Sequence, residues 1–242
     1  MSPENLEQFF QSHPQYDKPQ WRGLARPCID IEITDAPPQP QESGFGGLPY
    51  ALPGFVWPQH PHPQGYYRYL GQINFAELPD KAGLPEAGRL LLFYGEDAEG
   101  EVFWRDDDYI LALYLAAGQE CLHVAAPEHQ RPHPPACKIL LKKGLMLPAS
   151  PYLDMDLPPD SDAFFDALYE FEEQGSDHML GYPDHGSLAY DPTPGSGWLP
   201  LLNIGSHDRF EWCWHDADRL TVFVECEKAA RGDFSTLKSD AG

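Results

Sequence analysis

Two stretches of this chain, about 130 residues apart, carry the same pair of apolar runs. Trp198-Leu-Pro-Leu-Leu-Asn-Ile204 lies over Tyr67-Arg-Tyr-Leu-Gly-Gln-Ile73, with Leu201 opposite Leu70. Arg219-Leu-Thr-Val-Phe223 lies over Arg89-Leu-Leu-Leu-Phe93 at nearly the same offset. Runs this short, with turn chemistry such as Leu84-Pro85-Glu86-Ala87-Gly88 between them, read as strands. Two strand pairs held at one offset predict a duplicated β unit, with halves at 46–125 and 178–235 that share one sheet system or pack face to face. The expected fold class is α+β, predominantly antiparallel β. One compact domain over 1–242 carries a few peripheral helices.

Strands are expected at Tyr66–Phe75, Arg89–Tyr94, Glu101–Trp104, Tyr109–Ala116, Cys121–Ala125 and Lys138–Leu141. The segment from Pro37 to Pro63 is dense in Pro and Gly and reads as ordered loop with short edge strands. Ser2-Pro3-Glu4 supplies a cap, a first-turn proline and an acid. A short helix over 3–13 follows, turning Leu6, Phe9 and Phe10 inward and stopping at Pro14. A second helix spans 160–174, capped by Asp160 or Ser161 and stopped by Gly175. Its Phe164, Leu168 and Phe171 recur at helical spacing and face the core. Residues 236–242 read as a flexible tail.

Composition excludes whole classes of partner. There are 38 Asp and Glu against 16 Lys and Arg, a formal charge of −22. Phosphates would be repelled, so nucleic acid is excluded as a generic partner, and so is an anionic membrane surface. The segment Met1-Ser-Pro-Glu-Asn-Leu-Glu-Gln lacks the basic and apolar regions of a signal peptide. The longest apolar run, Ile110–Ala117, is too short to span a bilayer. Five widely spaced cysteines without a CxxC pair fit reduced thiols in the cytoplasm. A monomer is expected before any partner binds.

Further along the chain, Gly46-Gly-Leu-Pro-Tyr-Ala-Leu-Pro-Gly-Phe-Val-Trp57-Pro58 precedes Leu70-Gly-Gln-Ile-Asn-Phe-Ala-Glu-Leu-Pro79. Leu84-Pro85 with Gly88-Arg-Leu-Leu-Leu-Phe-Tyr94 follows, then His178-Met-Leu-Gly-Tyr-Pro183. Trp214-His-Asp-Ala-Asp-Arg-Leu220 and Asp233-Phe-Ser235 close the series. This ordered set, spanning Gly46 to Ser235, resembles the YwqG-like family of bacterial proteins. The chain departs from the family at His215 and Asp218, where glycine is usual, and at Asp184-His185-Gly186, which lacks a frequent glutamine. The resemblance implies no established catalysis. Some members sit in polymorphic-toxin and type VI secretion neighbourhoods, where they look like immunity proteins, one of them the partner of a DNase effector.

Catalytic and metal motifs are sparse, and no cofactor is expected. Ser196 in Pro194-Gly-Ser-Gly is a loop serine, not a nucleophile elbow. Gly44-Phe-Gly-Gly lacks the lysine and the strand–helix context of a phosphate loop. Cys213 and His215 would share a strand face without in-line geometry. His60-Pro-His62 and the pair His129/His133 read as exposed loop histidines, and Asp106-Asp-Asp108 as a solvated acidic turn.

The charge is clustered. Glu96–Asp108 holds seven acids and one base, and Asp154–Asp177 holds nine acids and none. On a helix, Asp162, Asp166, Glu170 and Glu173 stack along one face, where each like-charge pair costs about 0.2–0.5 kcal/mol. With Asp106, Asp107 and Asp108, these four form the expected partner-binding surface. Trp104, Tyr109, Tyr169, Trp212 and Trp214 are candidate anchors. The leading expectation is an immunity protein, not an enzyme, that neutralises a toxin with a basic surface, such as a secreted nuclease. The alternative is a small-ligand or metal-dependent enzyme using a pocket between the repeats, drawing on His178, Tyr182, His185 and Cys213.

Overall fold

Strict alternation in Arg26-Pro-Cys-Ile-Asp-Ile-Glu-Ile33 puts three isoleucines on one face and Cys28, Asp30 and Glu32 on the other. That period builds the central strand of the fold. The computed structural model describes residues 1–61, 65–96, 102–128, 130–159, 161–171 and 176–242. Helices α1 (Pro3–Ser12) and α2 (Pro19–Arg22) come first, then β1 (Arg26–Ile33), β2 (Gly44–Phe45) and β3 (Tyr50–Ala51). The strands β4 (Arg68–Asn74), β5 (Arg89–Tyr94), β6 (Ile110–Leu115), β7 (Leu122–His123) and β8 (Cys137–Met146) follow. Then come α3 (Ser161–Phe171), β9 (His178–Leu180), β10 (Trp198–Gly205), β11 (Arg219–Glu225), α4 (Cys226–Ala230) and β12 (Leu237–Ala241).

Ten strands form one antiparallel sheet in the order β12-β11-β10-β9-β1-β8-β2-β4-β5-β6, and β3 pairs with β7 separately. The edge strands β6 and β12 approach within 8 Å between Cα atoms, so the sheet is nearly closed. Outward from β1 and β8, each arm has a short strand, a long strand, its hairpin partner and an edge strand. The register skips Leu70 between Tyr69 and Gly71 in β4, and Leu201 between Pro200 and Leu202 in β10. These are the two leucines that sequence alignment places opposite one another. A 3-10 turn follows each long strand, at Phe75–Glu77 and Asp208–Phe210.

Each short strand also ends in two left-handed residues, Gly46 and Gly47 at φ +70° and +69°, Leu180 and Gly181 at +64° and +73°. At Gly46 glycine is obligatory, because a Cβ would lie 2.4 Å from the Pro135 carbonyl oxygen. Leu180 holds the same conformation with a side chain, at a cost of about 1–2 kcal/mol.

The main core runs through both arms, with Ile29, Phe45, Leu70, Leu92, Leu202 and Val222 buried in one cluster. A second cluster joins the helices: Phe9 and Phe10 of α1, Trp21 of α2, and Phe164 and Leu168 of α3. Trp21 and Phe164 stack at 4.0 Å between centroids. Helix α1 begins as its sequence predicts, with the Ser2 hydroxyl accepting from Asn5 N–H at 3.2 Å. Helix α3 matches the expected span within its described residues; Asp160 and Glu172–Gly175 lie outside them.

Three expectations need correction. Val102–Trp104 is not a strand: the chain turns there, with Asp106 N–H donating to the Phe103 carbonyl at 2.9 Å, and Glu101 lies outside the described residues. The tail at 236–242 is not loose, because Leu237–Ala241 pairs with β11 and Leu237 and Ala241 are buried. The strand expected to end at Leu141 continues to Met146, since Lys142 and Lys143 remain in register opposite Asp30 and Ile29.

Helix α3 is held by its apolar stripe rather than by its own propensity. Phe164→Ala should therefore lower the unfolding free energy by about 3–5 kcal/mol, read from urea midpoints. Substitution at an exposed position such as Ala163 should change it by less than about 0.5 kcal/mol.

Candidate functional site

Helix α3 presents two chemically opposite faces. Phe164, Phe165 and Leu168 are buried, while Asp162, Asp166 and Glu170 are exposed one turn apart. Tyr169, beside Glu170, is 76% exposed. Among the described residues none of these three carboxylates has an ion-pair partner. Glu173, the fourth acid expected on this face, lies outside the described residues.

The second acidic cluster is built differently. The Asp106 carboxylate accepts from Phe103 N–H at 3.0 Å and shapes its own turn. Asp107 is ion-paired with Lys238 of β12, and the Asp108 carbonyl accepts from the Tyr67 hydroxyl. Arg105 lies 3.3 Å from Asp240. The turn therefore fastens β12 to the loop before β6. It packs on different elements from α3, and the structure does not join the two clusters into one surface. Of the candidate anchors, Tyr109, Trp212 and Trp214 belong to the core and Trp104 packs against it, which leaves Tyr169.

Beside α3 a cavity of about 1020 Å³ opens between the helix and the middle of the sheet. Phe165, Leu168 and Tyr169 form one wall, and Asp30, His178 and Gly205 belong to the strands below. Its most organised feature is Asp177, which precedes β9. One carboxylate oxygen lies 2.6 Å from His207 Nε2; the other accepts from Gly205 N–H at 2.8 Å and from Arg219 at 3.2 Å. Arg219 also lies 3.1 Å from Asp184. Burial pushes the Asp177 carboxyl upward, but His207, the Gly205 amide and Arg219 outweigh it and hold the group below the usual range.

The alternative enzymatic set is only partly assembled here. His178 and His185 line the cavity, and burial holds the His185 imidazole below its ordinary value. Tyr182 instead donates to the Leu24 carbonyl at 2.7 Å and lies beneath the Arg26 guanidinium. Cys213 sits exposed on an irregular segment, so the strand face expected for Cys213 and His215 does not form. The hydroxyl adjacent to His207, on Ser206, donates to the Asp218 carbonyl at 2.9 Å and accepts from Trp214 N–H at 2.8 Å. It is committed to the backbone rather than poised for attack. Among the loop histidines, His60 is buried against Tyr67 rather than exposed, His133 is half-buried, and His62 and His129 lie outside the described residues. Sequence reasoning missed Asp177 with His207, which lie 30 residues apart and meet only through the β9–β10 pairing.

A depressed carboxyl stabilises the fold above its unfolded pKa, and that contribution is lost as pH falls through the lower folded value. Urea midpoints of the protein should therefore fall between about pH 5 and pH 2. Asp177→Asn should be less stable at neutral pH by about 1–3 kcal/mol and show a shallower acid limb.

Among the described residues no helix is long and apolar enough to cross a membrane. No curated protein matches the chain. Residues 43–239, from just before β2 into β12, match the domain of unknown function DUF1963. That match covers most of the chain, and the protein belongs to the DUF1963 family.

Proposed function

We propose that this protein is a cytoplasmic immunity protein of the YwqG-like type that binds and neutralises a secreted toxin with a basic surface, a nuclease effector of type VI secretion being the leading candidate. The supporting observation is the exposed face of α3. Asp162, Asp166 and Glu170 repel one another along the helix and have no ion-pair partner among the described residues. The local cost, about 0.2–0.5 kcal/mol per pair, is returned only when a cationic surface arrives. A nuclease must carry such a surface to hold phosphate. Acids facing it would raise the association rate by about 10–10³-fold and keep nucleic acid away. Tyr169 is the exposed aromatic that could anchor the contact. The turn at Asp106–Asp108 contributes less, because Asp106 and Asp107 already serve the fold.

A second reading, a small-ligand or metal-dependent enzyme, draws on the cavity beside α3 and its Asp177–His207 pair. Stoichiometric metal in protein purified without added ions would favour it. We also propose that the two arms derive from a duplicated unit, with β1 and β8 as exchanged first strands. The bulges at Leu70 and Leu201 and the paired left-handed residues after β2 and β9 support that origin.

The test of the immunity reading is a bait experiment in the native cell followed by protection assays. The wild-type protein should retain a basic partner that elutes as salt rises, because screening shortens the reach of exposed charges. The triple variant Asp162→Lys, Asp166→Lys, Glu170→Lys should lose about tenfold or more in association rate while melting no lower than the wild type. Unchanged protection of toxin-expressing cells by that variant would remove α3 from the interface.

A further inference from the structure

A second cavity, of about 570 Å³, lies on the other arm, away from α3, where the Gly46-Gly47 turn passes beneath the segment 132–136. Gly47 N–H donates to the Pro134 carbonyl at 2.9 Å, and a Cβ on Gly47 would lie 2.7 Å from the Ala136 side chain. The glycine pair thus brings two proline-bearing segments together, and Pro38, Pro40, Pro132 and Pro134 line the space between them. Tyr50 and His123, edge-to-face at 5.1 Å, add flat aromatic surface. The volume falls within the range of small-molecule sites, about 300–1,000 Å³.

Charge defines what could enter. In a chain of net charge −22, no described residue lining this cavity is a carboxylate. Its one cation, Arg131, is taken: its guanidinium lies 2.6 Å from Glu96 and 3.4 Å from Glu211. Arg68, just behind the wall, spends its terminal nitrogens on the Arg131 and Pro132 carbonyls at 2.9 and 3.1 Å. A cation would find no carboxylate among the described lining residues, and Arg131, already paired with two carboxylates, offers an anion little net charge, so the site suits a neutral molecule.

Two polar groups remain unspent. Tyr69 lines the cavity and is 4% exposed, yet its hydroxyl bonds to no described residue. His133 is oriented by a relay: Gln130 Nε2 donates to the Tyr67 carbonyl at 3.1 Å, which turns the Gln130 amide oxygen toward His133 Nε2 at 3.0 Å. Nε2 therefore carries the proton, and Nδ1 is left as a buried acceptor without a partner. Burial and the nearby Arg68 charge push the imidazole down to about 4, keeping the ring neutral and Nδ1 open near pH 7. A buried acceptor without a partner is costly alone, and the Tyr69 hydroxyl supplies a donor in the same cavity.

We propose that this cavity binds a neutral, planar ring carrying an N–H and a carbonyl on its edge, the chemistry of a nucleobase or another cyclic amide. The Tyr69 hydroxyl donates to the carbonyl, His133 Nδ1 accepts the N–H, and the proline and aromatic faces sandwich the ring. The volume leaves room for an uncharged substituent. This site is independent of the toxin-binding reading, because it shares no residue with α3.

The test is fluorine NMR with 5-fluorouracil as probe, alongside calorimetry with uracil, uridine, uridine monophosphate and benzoate. Saturable binding of 5-fluorouracil with a dissociation constant of about 1 mM or tighter is expected. Uridine should compete, and the two anions should bind more weakly. Tyr69→Phe, which preserves shape and packing, should weaken binding about fivefold. Ala126→Trp, placed in the cavity lining, should abolish it without lowering the melting temperature. Absence of saturable binding would overturn the proposal. So would equal or tighter binding of the monophosphate, or affinity unchanged in both variants.

Discussion

The pairing of β1 with β8 is the constraint on which everything else hangs. These strands come from residues 26–33 and 137–146, yet they pair without a break from Arg26 opposite Met146 to Ile33 opposite Ile139. Each then takes the first strand of an arm on its free edge, β9 beside β1 and β2 beside β8. The chain must therefore bring its beginning to its middle before either arm can complete its sheet. Such non-local pairing slows folding and makes it cooperative, since neither arm has a full set of ladder partners alone. It also fixes both cavities, because each borders the short strand that this central pair holds in place.

The two arms use similar frames for different polar chemistry. Arg89 and Arg219 open the equivalent hairpin strands, and both reach back to the loop that follows a left-handed pair. Arg89 donates to the Tyr50 carbonyl at 3.0 Å and to Cys121 Sγ at 2.7 Å, so its charge is spread over neutral acceptors. Arg219 instead meets Asp184 and Asp177. Arg89 thus needs no carboxylate, and no described residue lining the first arm's cavity is one. The second arm concentrates carboxylates and imidazoles around its own cavity. Carbonyls around Arg89 in one arm and carboxylates around Arg219 in the other thus accompany a carboxylate-free cavity and a polar, titratable one.

Much of the frame was legible in sequence because its signals were local. Leu70 and Leu201 align between the two similar stretches, and both lie at bulges; Ser2-Pro3 reads as a helix start because capping is a matter of adjacent residues. Strand β1 was missed although Ile29, Ile31 and Ile33 alternate cleanly with Cys28, Asp30 and Glu32. Pro27 near the start and two acids inside the segment mask that period to the eye. Strand β8 extends past the expected Leu141 through Lys142 and Lys143, which their register opposite Asp30 and Ile29 shows and their composition does not. The candidate sites were least legible. Asp177 meets His207 across 30 residues, and Tyr69 and His133, 64 residues apart, come to one cavity only through the fold, which no spacing rule encodes. Asp106–Asp108 illustrates the reverse error, since a run of acids says nothing about which of them the fold consumes.

That distinction decides how the charge of this chain is to be read. Carboxylates that accept from the backbone or meet an arginine have their desolvation offset inside the molecule, as Asp106 and Asp177 do, and offer little to a partner. Those on α3 are solvated, mutually repulsive and unneeded by the helix, whose hold on the body comes from Phe164 stacked on Trp21. Because packing supplies the stability, the outer face is released from the usual demand for alternating charge. It can then carry a field that serves encounter rather than folding. An acidic face evolved only for solubility would work equally well with its charges scattered, and scattering would avoid the repulsion between neighbouring turns. The proposed toxin contact would account for the alignment of Asp162, Asp166 and Glu170 beside an exposed tyrosine, since one cationic surface could meet all of them at once.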